Sequence, residues 1–401
     1  MANSLIEFNT VVIGAGQAGL SMSYHLSRQR LPHIVLERAR VAERWRSERW
    51  DSLHFQFPNA FVNLPGYAYD GDEPGGFMHR NEVVRRLQAY ASTINVPLRT
   101  GVEVTSLAAS TGGGFTLEAS TGPIKARHVV VATGPYHKPR IPEFAANLTA
   151  SVRQLPASRY TSAQELPQGA VLVVGAGGSG CQIAEDLALQ GRETFLAVSP
   201  HRRLPRRHAG RDITYWLEES GFLDRTAAQM PVHGNAPLLT GVDGGYEVSM
   251  SGLIDKGVRL VGRLLDADQA HVQILDSVAH DIAVGEQSYM DALAMIEAFR
   301  EGIAPMPPVA QPTPEFSRYE LDLEQAGIAS IVWATGYTLD FGWIRCDVFD
   351  NQGRPRHERG ITDVEGLLFL GLPLLHTVRS SFLWGVGADA EYLAQHIAEL
   401  A

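Results

Sequence analysis

The sequence predicts an α/β fold of two doubly wound parallel-sheet units, one inserted in the other, and three observations predict it. First, one grammar of strand, glycine turn, helix and strand occurs twice, over residues 11–37 and 171–199. Second, an echo closes each half: Val129-Val130-Val131 runs into Ala132-Thr133-Gly134, and Ile331-Val332-Trp333 into Ala334-Thr335-Gly336. Third, glycine is abundant, 39 of 401 residues against a usual level of roughly 7%, which signals close backbone approaches.

The elements follow in chain order. Val11-Val12-Ile13 is an apolar strand, Gly14-Ala15-Gly16-Gln17-Ala18-Gly19 a turn, and a helical pattern continues to about Arg30. His33–Leu36 is a short strand ending at Glu37. Pro135–Pro142 reads as an extended connection, because proline fixes φ and withholds a donor. The second unit repeats the pattern with Val171–Val174, then Gly175-Ala176-Gly177-Gly178-Ser179-Gly180, then a helix through Ile183 and Leu187, then Thr194–Val198. Arg211–Leu217 reads as helix, Gly257–Leu265 and His271–Leu275 as strands, Ser277–Arg300 as mostly helix, and proline-rich Ile303–Phe316 as loop. Leu367–Leu370 is a last strand, and a helix covers Gly387–Leu400. The expected division is 1–143 with 338–401 for the first unit and 144–337 for the second. An insertion at about 214–316 is expected to help form a substrate cavity.

Composition removes several classes of function. At 45% hydrophobic and 19% charged, the chain can bury a large core. A net charge of −10 argues against nucleic acid and anionic membranes, which need a basic surface. Two cysteines are too few for a disulfide scaffold or a cysteine-rich metal site, so no metal is expected. No leader pattern and no apolar run of membrane-spanning length are visible, and the expected location is the cytoplasm.

The glycine turns carry the chemistry. In such a turn the first glycine permits the bend, the second lets a pyrophosphate approach the backbone, and the third lets the helix pack on the strand. The helix N-terminus then offers free N–H groups to the phosphates. A lone match is weak, but both copies here follow a strand and open a helix. The second strand's end separates the ligands. Glu37, 18 residues after Gly19, accepts ribose hydroxyls and repels a 2′-phosphate, which suits FAD or NAD. Ser199, 19 residues after Gly180, is followed by His201, Arg202, Arg203, Arg206, Arg207 and Arg211. A hydroxyl with guanidinium groups suits the 2′-phosphate of NADPH, and Arg202 and Arg203 are the strongest candidates. Arg206 and Arg207 are weaker candidates that strengthen the local field, and the plain alternative is a solvated basic loop.

With these motifs in this order, the chain resembles flavoproteins with two dinucleotide-binding domains. Within them it is similar to the flavin-containing monooxygenases and their YUCCA-like and Baeyer–Villiger relatives. The resemblance implies two Rossmann-like domains, FAD on the first turn and NADPH on the second. It assigns to the cofactors Gly14, Gly16, Gln17, Ala18, Gly19, Glu37, Arg38, Thr133 and Gly134, and Gly175, Gly177, Gly178, Ser179, Gly180, Ser199, Arg202, Arg203, Ala334, Thr335 and Gly336. Glu43-Arg44-Trp45-Arg46 resembles the family's Gly-Gly-x-Trp segment, which puts Trp45 and Arg46 near the flavin; core packing is the alternative for Trp45. Leu372–Ser381 and the following Phe382, Leu383 and Trp384 resemble the returning flavin loop, making His376, Arg379 and Ser380 active-site candidates. Asn59, after Phe57-Pro58, is another.

One departure stands out. The family linker carries Phe-x-Gly-x-x-x-His, whereas Ala150–Tyr160 has none of the three, which argues against a typical Baeyer–Villiger enzyme. The same fold hosts dithiol reductases, but Cys181 and Cys346 lie 165 residues apart, and no cysteine pair is present in the sequence. The resemblance therefore implies that NADPH reduces the flavin and O2 forms a C4a-(hydro)peroxyflavin. One oxygen atom then passes to an N, S or carbonyl centre. The expected partners are a small organic substrate and O2, with homodimerisation left open. The alternatives are an NADPH oxidase or dehydrogenase, or a flavin redox sensor without turnover.

Overall fold

A computed structural model describes residues 6–230, 237–302 and 315–400. The first sheet runs Leu98–Thr100, His33–Glu37, Ile6–Ile13, Gly122–Val131, Phe115–Ala119 and Val104–Ala109. Its first four strands are parallel, and the last two return as an antiparallel meander. Gly122–Val131 is long enough to serve two neighbours on one edge. Its first half pairs with Phe115–Ala119, and its last three residues pair in parallel with Leu367–Phe369. Val11, Val12, Val129 and Val130 are fully buried, as strands covered on both faces require.

The second sheet is wholly parallel, in the order Val258–Val261, Thr194–Ala197, Ala170–Val174, Ile328–Trp333 and Arg153–Pro156. In each sheet the strand that feeds the glycine turn sits in the middle, with its successor on one side and the Ala-Thr-Gly strand on the other. Strand order therefore reverses at the carboxyl end of that strand, where open α/β sheets leave a crevice. The helices Gln17–Arg28 and Gly178–Leu189 leave from these points. Two chain crossings connect the sheets side by side, as Lys138–Pro139 pairs antiparallel with Tyr337–Thr338.

Several elements differ from the sequence reading for identifiable reasons. Gly257–Leu265 is not one strand. It divides into Val258–Val261, in the parallel sheet, and Leu264–Asp268, which pairs antiparallel with His271–Leu275. The break is at Gly262, where a Cβ would come 1.7 Å from the Leu275 carbonyl oxygen. The helix expected from Arg211 begins at Ile213, because the Asp212 carboxylate caps it by accepting the Thr214 N–H at 2.9 Å. Arg211–Asp212 instead pairs with Arg207–His208. The long helix is Val278–Glu301 and the terminal one Val386–Leu400. Most of the expected 303–316 loop lies outside the described residues. Among those residues no helix is long and apolar enough to cross a membrane.

Candidate functional site

The two glycine turns are nearly superimposable in their constraints. Gly14 has φ +109°, and a Cβ there would sit 2.6 Å from the Ala132 carbonyl oxygen. Gly175 has φ +111°, and its Cβ would sit 2.6 Å from that of Ala334. A Cβ on Gly19 would lie 1.8 Å from the Gly14 oxygen, and one on Gly180 would lie 1.8 Å from the Gly175 oxygen. Each Ala-Thr-Gly strand end is thus the seat of its own glycine turn. The middle glycines, Gly16 and Gly177, have nothing within 4 Å of that position. Packing therefore explains the outer glycines and leaves the middle ones facing open space. The helices that follow begin without a side-chain cap, so their first N–H groups are free to meet an anion.

The residues around the two turns differ. Glu37 is 9% exposed, and its carboxylate accepts the Ala15 N–H at 2.8 Å and the Ala39 N–H at 2.9 Å. These bonds fix a carboxylate beside the first turn. At the second turn the strand register puts buried Val198 in the place of Glu37, and half-buried Ser199 follows it. The arginines after it separate. Arg203 is buried, pairs with Glu286 and lies over Tyr289. Buried Arg206 pairs with Asp212 at 2.8 Å, donates to the Gln56 carbonyl at 2.7 Å and stacks on Phe77. Arg207 donates to the Gly244 and Gly245 carbonyls, and Arg211 pairs with Glu219. Arg203 was an expected phosphate ligand, but its guanidinium already has an anion. Arg202 is half-buried and has no ion-pair or hydrogen-bond partner for its side chain among the described residues; burial alone holds its pKa down.

Beside the first turn, Trp45 packs against the core edge-on to Phe55. Arg46 donates through Nε to the Val41 carbonyl at 3.2 Å, while its Nη2 is buried without a partner. A buried guanidinium nitrogen with no acceptor fits a bound anion or cofactor heteroatom. Arg38 is exposed, 3.9 Å from Glu48. Gln17 reaches across to donate to the Ser381 carbonyl at 3.0 Å, tying the first turn to the C-terminal loop. Thr133 contacts His137 Nε2 at 3.1 Å, and His137 Nδ1 accepts the Asp340 N–H at 2.8 Å. Burial lowers the pKa of His137. In the second echo, Thr335 donates to the Arg140 carbonyl, between the two crossings. Gly134 and Gly336 both have positive φ.

The C-terminal loop only partly matches its expected roles. Asn59 is 6% exposed, and its Nδ2 donates to the Glu73 carbonyl while Oδ1 stays buried and unpartnered. It borders a cavity of about 510 Å³ with Tyr69, Phe77 and Arg86. His376 is half-buried, and its N–H donates to Ser380 Oγ at 3.0 Å. Arg379, an expected catalytic group, carries two ion pairs. It pairs with Glu218 at 2.6 Å and Asp224 at 2.9 Å. Phe382 joins a ring cluster with Phe57 and Trp384, while Leu383 is core. Phe61 and Tyr215 extend that cluster. Glu218 and Tyr215 were not expected there. Their only local signal is a helical pattern, and the contact with residues 377–384 is long-range.

Both cysteines are free and buried, and burial pushes both thiols up, away from the nucleophilic thiolate. No cluster of metal-ligating side chains occurs among the described residues.

A family model described as pyridine nucleotide-disulphide oxidoreductase matches residues 11–221, which include both glycine turns. The chain belongs to this family. Among similar proteins, an uncharacterised CzcO-like oxidoreductase of Geobacillus kaustophilus is 34% identical over 97% of this chain and 98% of its own. The indole-3-pyruvate monooxygenase YUCCA1 of Oryza sativa is 31% identical over 47% of each chain. The flavin-containing monooxygenase of Stenotrophomonas maltophilia has the same fold, with a TM-score of 0.69 and 18% identity over 99% of both chains. The oxidoreductase thus shares its architecture with flavin monooxygenases, as the motif order implied.

Proposed function

We propose that this oxidoreductase binds FAD at the first glycine turn and NADPH at the second. With both bound, the chain would act as a monooxygenase: NADPH would supply two electrons, one atom of O2 would enter a small organic substrate and the other would leave as water. The observation that carries the reading is the pair of open middle glycines with different neighbours. One cradle faces a fixed carboxylate, Glu37. The other has buried Val198 in the matching place, followed by the Ser199 hydroxyl and by Arg202, whose guanidinium has no partner among the described residues. When bound, FAD supplies hydride acceptance and oxygen activation; the chain supplies position, charge and exclusion of water.

The residues take roles accordingly. Helix Gln17–Arg28 directs its free N–H groups at the FAD pyrophosphate, and Glu37 receives the ribose hydroxyls. Arg46 Nη2 and Asn59 Oδ1, both orphaned, find partners on the cofactor or substrate. The N-terminus of Val386–Leu400 favours negative charge on the reduced flavin. Helix Gly178–Leu189 and Ser199 with Arg202 hold NADPH. In this reading residues 1–143 and 338–401 serve FAD, and 144–337 serve NADPH. The half-buried rings of Phe57, Tyr215, Phe382 and Trp384 border the substrate. Disulfide reduction through a cysteine relay is disfavoured, because both thiols are buried and their pKa values are raised.

Purified protein tests this directly. It should carry FAD, and NADPH should reduce that flavin without oxygen faster than NADH does. Amines, thioethers and ketones then form the substrate panel under air. Stimulated NADPH consumption with oxygenated product supports the monooxygenase. Peroxide as the sole product with every compound makes the protein an NADPH oxidase.

A further inference from the structure

The loop after strand Thr194–Ala197 is gripped by a remote element, the helix Val278–Glu301. Three contacts hold it. His201 is 3% exposed, and a Cβ built on Gly285 would come 2.3 Å from its Nε2. The Arg203 N–H donates to Ser288 Oγ at 2.8 Å, and Ser288 Oγ donates to the Gly285 carbonyl at 2.7 Å. The Arg203 guanidinium pairs with Glu286 and lies 4.9 Å from the Tyr289 ring centroid. Residues 285, 288 and 289 share a helix face by their spacing.

Gly285 is the informative residue. It lies inside a helix and has no positive φ, so the backbone does not need glycine there. Glycine in that setting is less favourable than alanine. The three atoms nearest its missing Cβ all belong to the His201 ring. His201 Nδ1 in turn bonds the Ser199 carbonyl at 3.0 Å, so the ring couples the helix to Ser199. With His201 and Arg203 both fixed, the residue between them is Arg202, the one whose guanidinium lacks a partner among the described residues.

We infer that the helix Val278–Glu301 sets coenzyme preference: Gly285, Glu286 and Ser288 are positioning residues that hold Ser199 and Arg202 at the 2′-phosphate of NADPH. The inference rests on the NADPH reading of the second turn. Its test uses the full-length, FAD-loaded protein and steady-state KM values for NADPH and NADH. Gly285→Ala forces the His201 ring and its loop outward and raises KM for NADPH about tenfold, a loss of about 1.4 kcal/mol, with KM for NADH nearly unchanged. Adding His201→Asn removes the ring edge, keeps a donor for the Ser199 carbonyl and restores most of the NADPH preference. Ser288→Ala, which removes the acceptor of the Arg203 N–H and the bond to the Gly285 carbonyl without a clash, raises KM for NADPH about threefold and decides the matter if Gly285→Ala does not fold. Arg202→Ala is the reference arm. If it lowers NADPH preference while the helix variants shift both coenzymes equally or neither, the helix inference is overturned and the NADPH reading stands. If Arg202→Ala leaves the preference unchanged, the NADPH reading fails and takes the inference with it.

Discussion

Arg202 and Arg203 are neighbours with different fates, and sequence could not separate them. Both follow Ser199 in a basic run, and either could meet a phosphate. The difference is Glu286, which lies 83 residues after Arg203 and supplies it with an anion. Arg202→Ala should therefore raise KM for NADPH by about tenfold or more, because a charge-assisted bond to phosphate is lost, and leave NADH little affected. Arg203→Ala should lower Tm by a few degrees, since it removes a helix tie, and should raise KM for NADPH by less than Arg202→Ala does, because Arg202 itself remains. Equal KM effects from both variants would contradict this division of roles. Arg379 teaches the same lesson. Its position in the C-terminal loop suggested catalysis, and its ion pairs with Glu218 and Asp224, on a segment some 160 residues earlier, were not visible in sequence.

At the scale of elements, the glycine turns were legible because their meaning is local. A strand, a bend and a helix over a dozen residues suffice to specify them, and the structure builds both where the sequence put them. Their three glycines should respond differently to alanine. Gly19→Ala would drive a methyl into the Gly14 carbonyl and should yield insoluble or flavin-free protein. Gly16→Ala meets no protein atom, so the chain should fold with nearly native Tm yet lose most of its flavin. A Gly16→Ala protein with full flavin content would show that the turn is only structural. The strand break at Gly262 was not legible. Val258–Asp268 is continuous in its apolar pattern, and only the approach of the Leu275 carbonyl explains the change of sheet. The grip of the long helix on the 199–203 loop was hidden for the same reason.

For the whole molecule, the two sheets are joined by more than their paired crossings. Glu218, on helix Ile213–Glu219, accepts from Arg379 and from Trp384 Nε1 at 3.3 Å, fixing the C-terminal loop against that helix. Glu218→Gln should loosen that loop and raise the fraction of NADPH electrons appearing as peroxide, measured against product formed. An unchanged fraction would mean the tie has no part in coupling. Acid should also weaken the fold. Burial lowers the pKa values of His33, His137, His201 and His357 in the native state. The unfolded chain, whose histidines titrate near pH ~6.5, binds those protons first. Stability is therefore fully present above that pH and falls as pH drops below it, so Tm should decline from about pH 6.5 downward. A flat Tm down to pH ~5 would contradict this.

The whole-molecule architecture was the most legible feature, because the duplicated turn and the duplicated strand end specify two units of the same construction. The substrate was not legible. The ring cluster proposed to border it, Phe57, Phe61, Tyr215, Phe382 and Trp384, comes from three distant segments that only the fold brings together. The claim that electrons travel from NADPH through flavin into an organic product has one direct measurement. Turnover with isotopically labelled O2 and a panel of amines, thioethers and ketones should give a product carrying one labelled oxygen atom, formed in proportion to NADPH consumed. NADPH consumption that is matched entirely by labelled peroxide, with every compound returned unoxidised, would contradict the account.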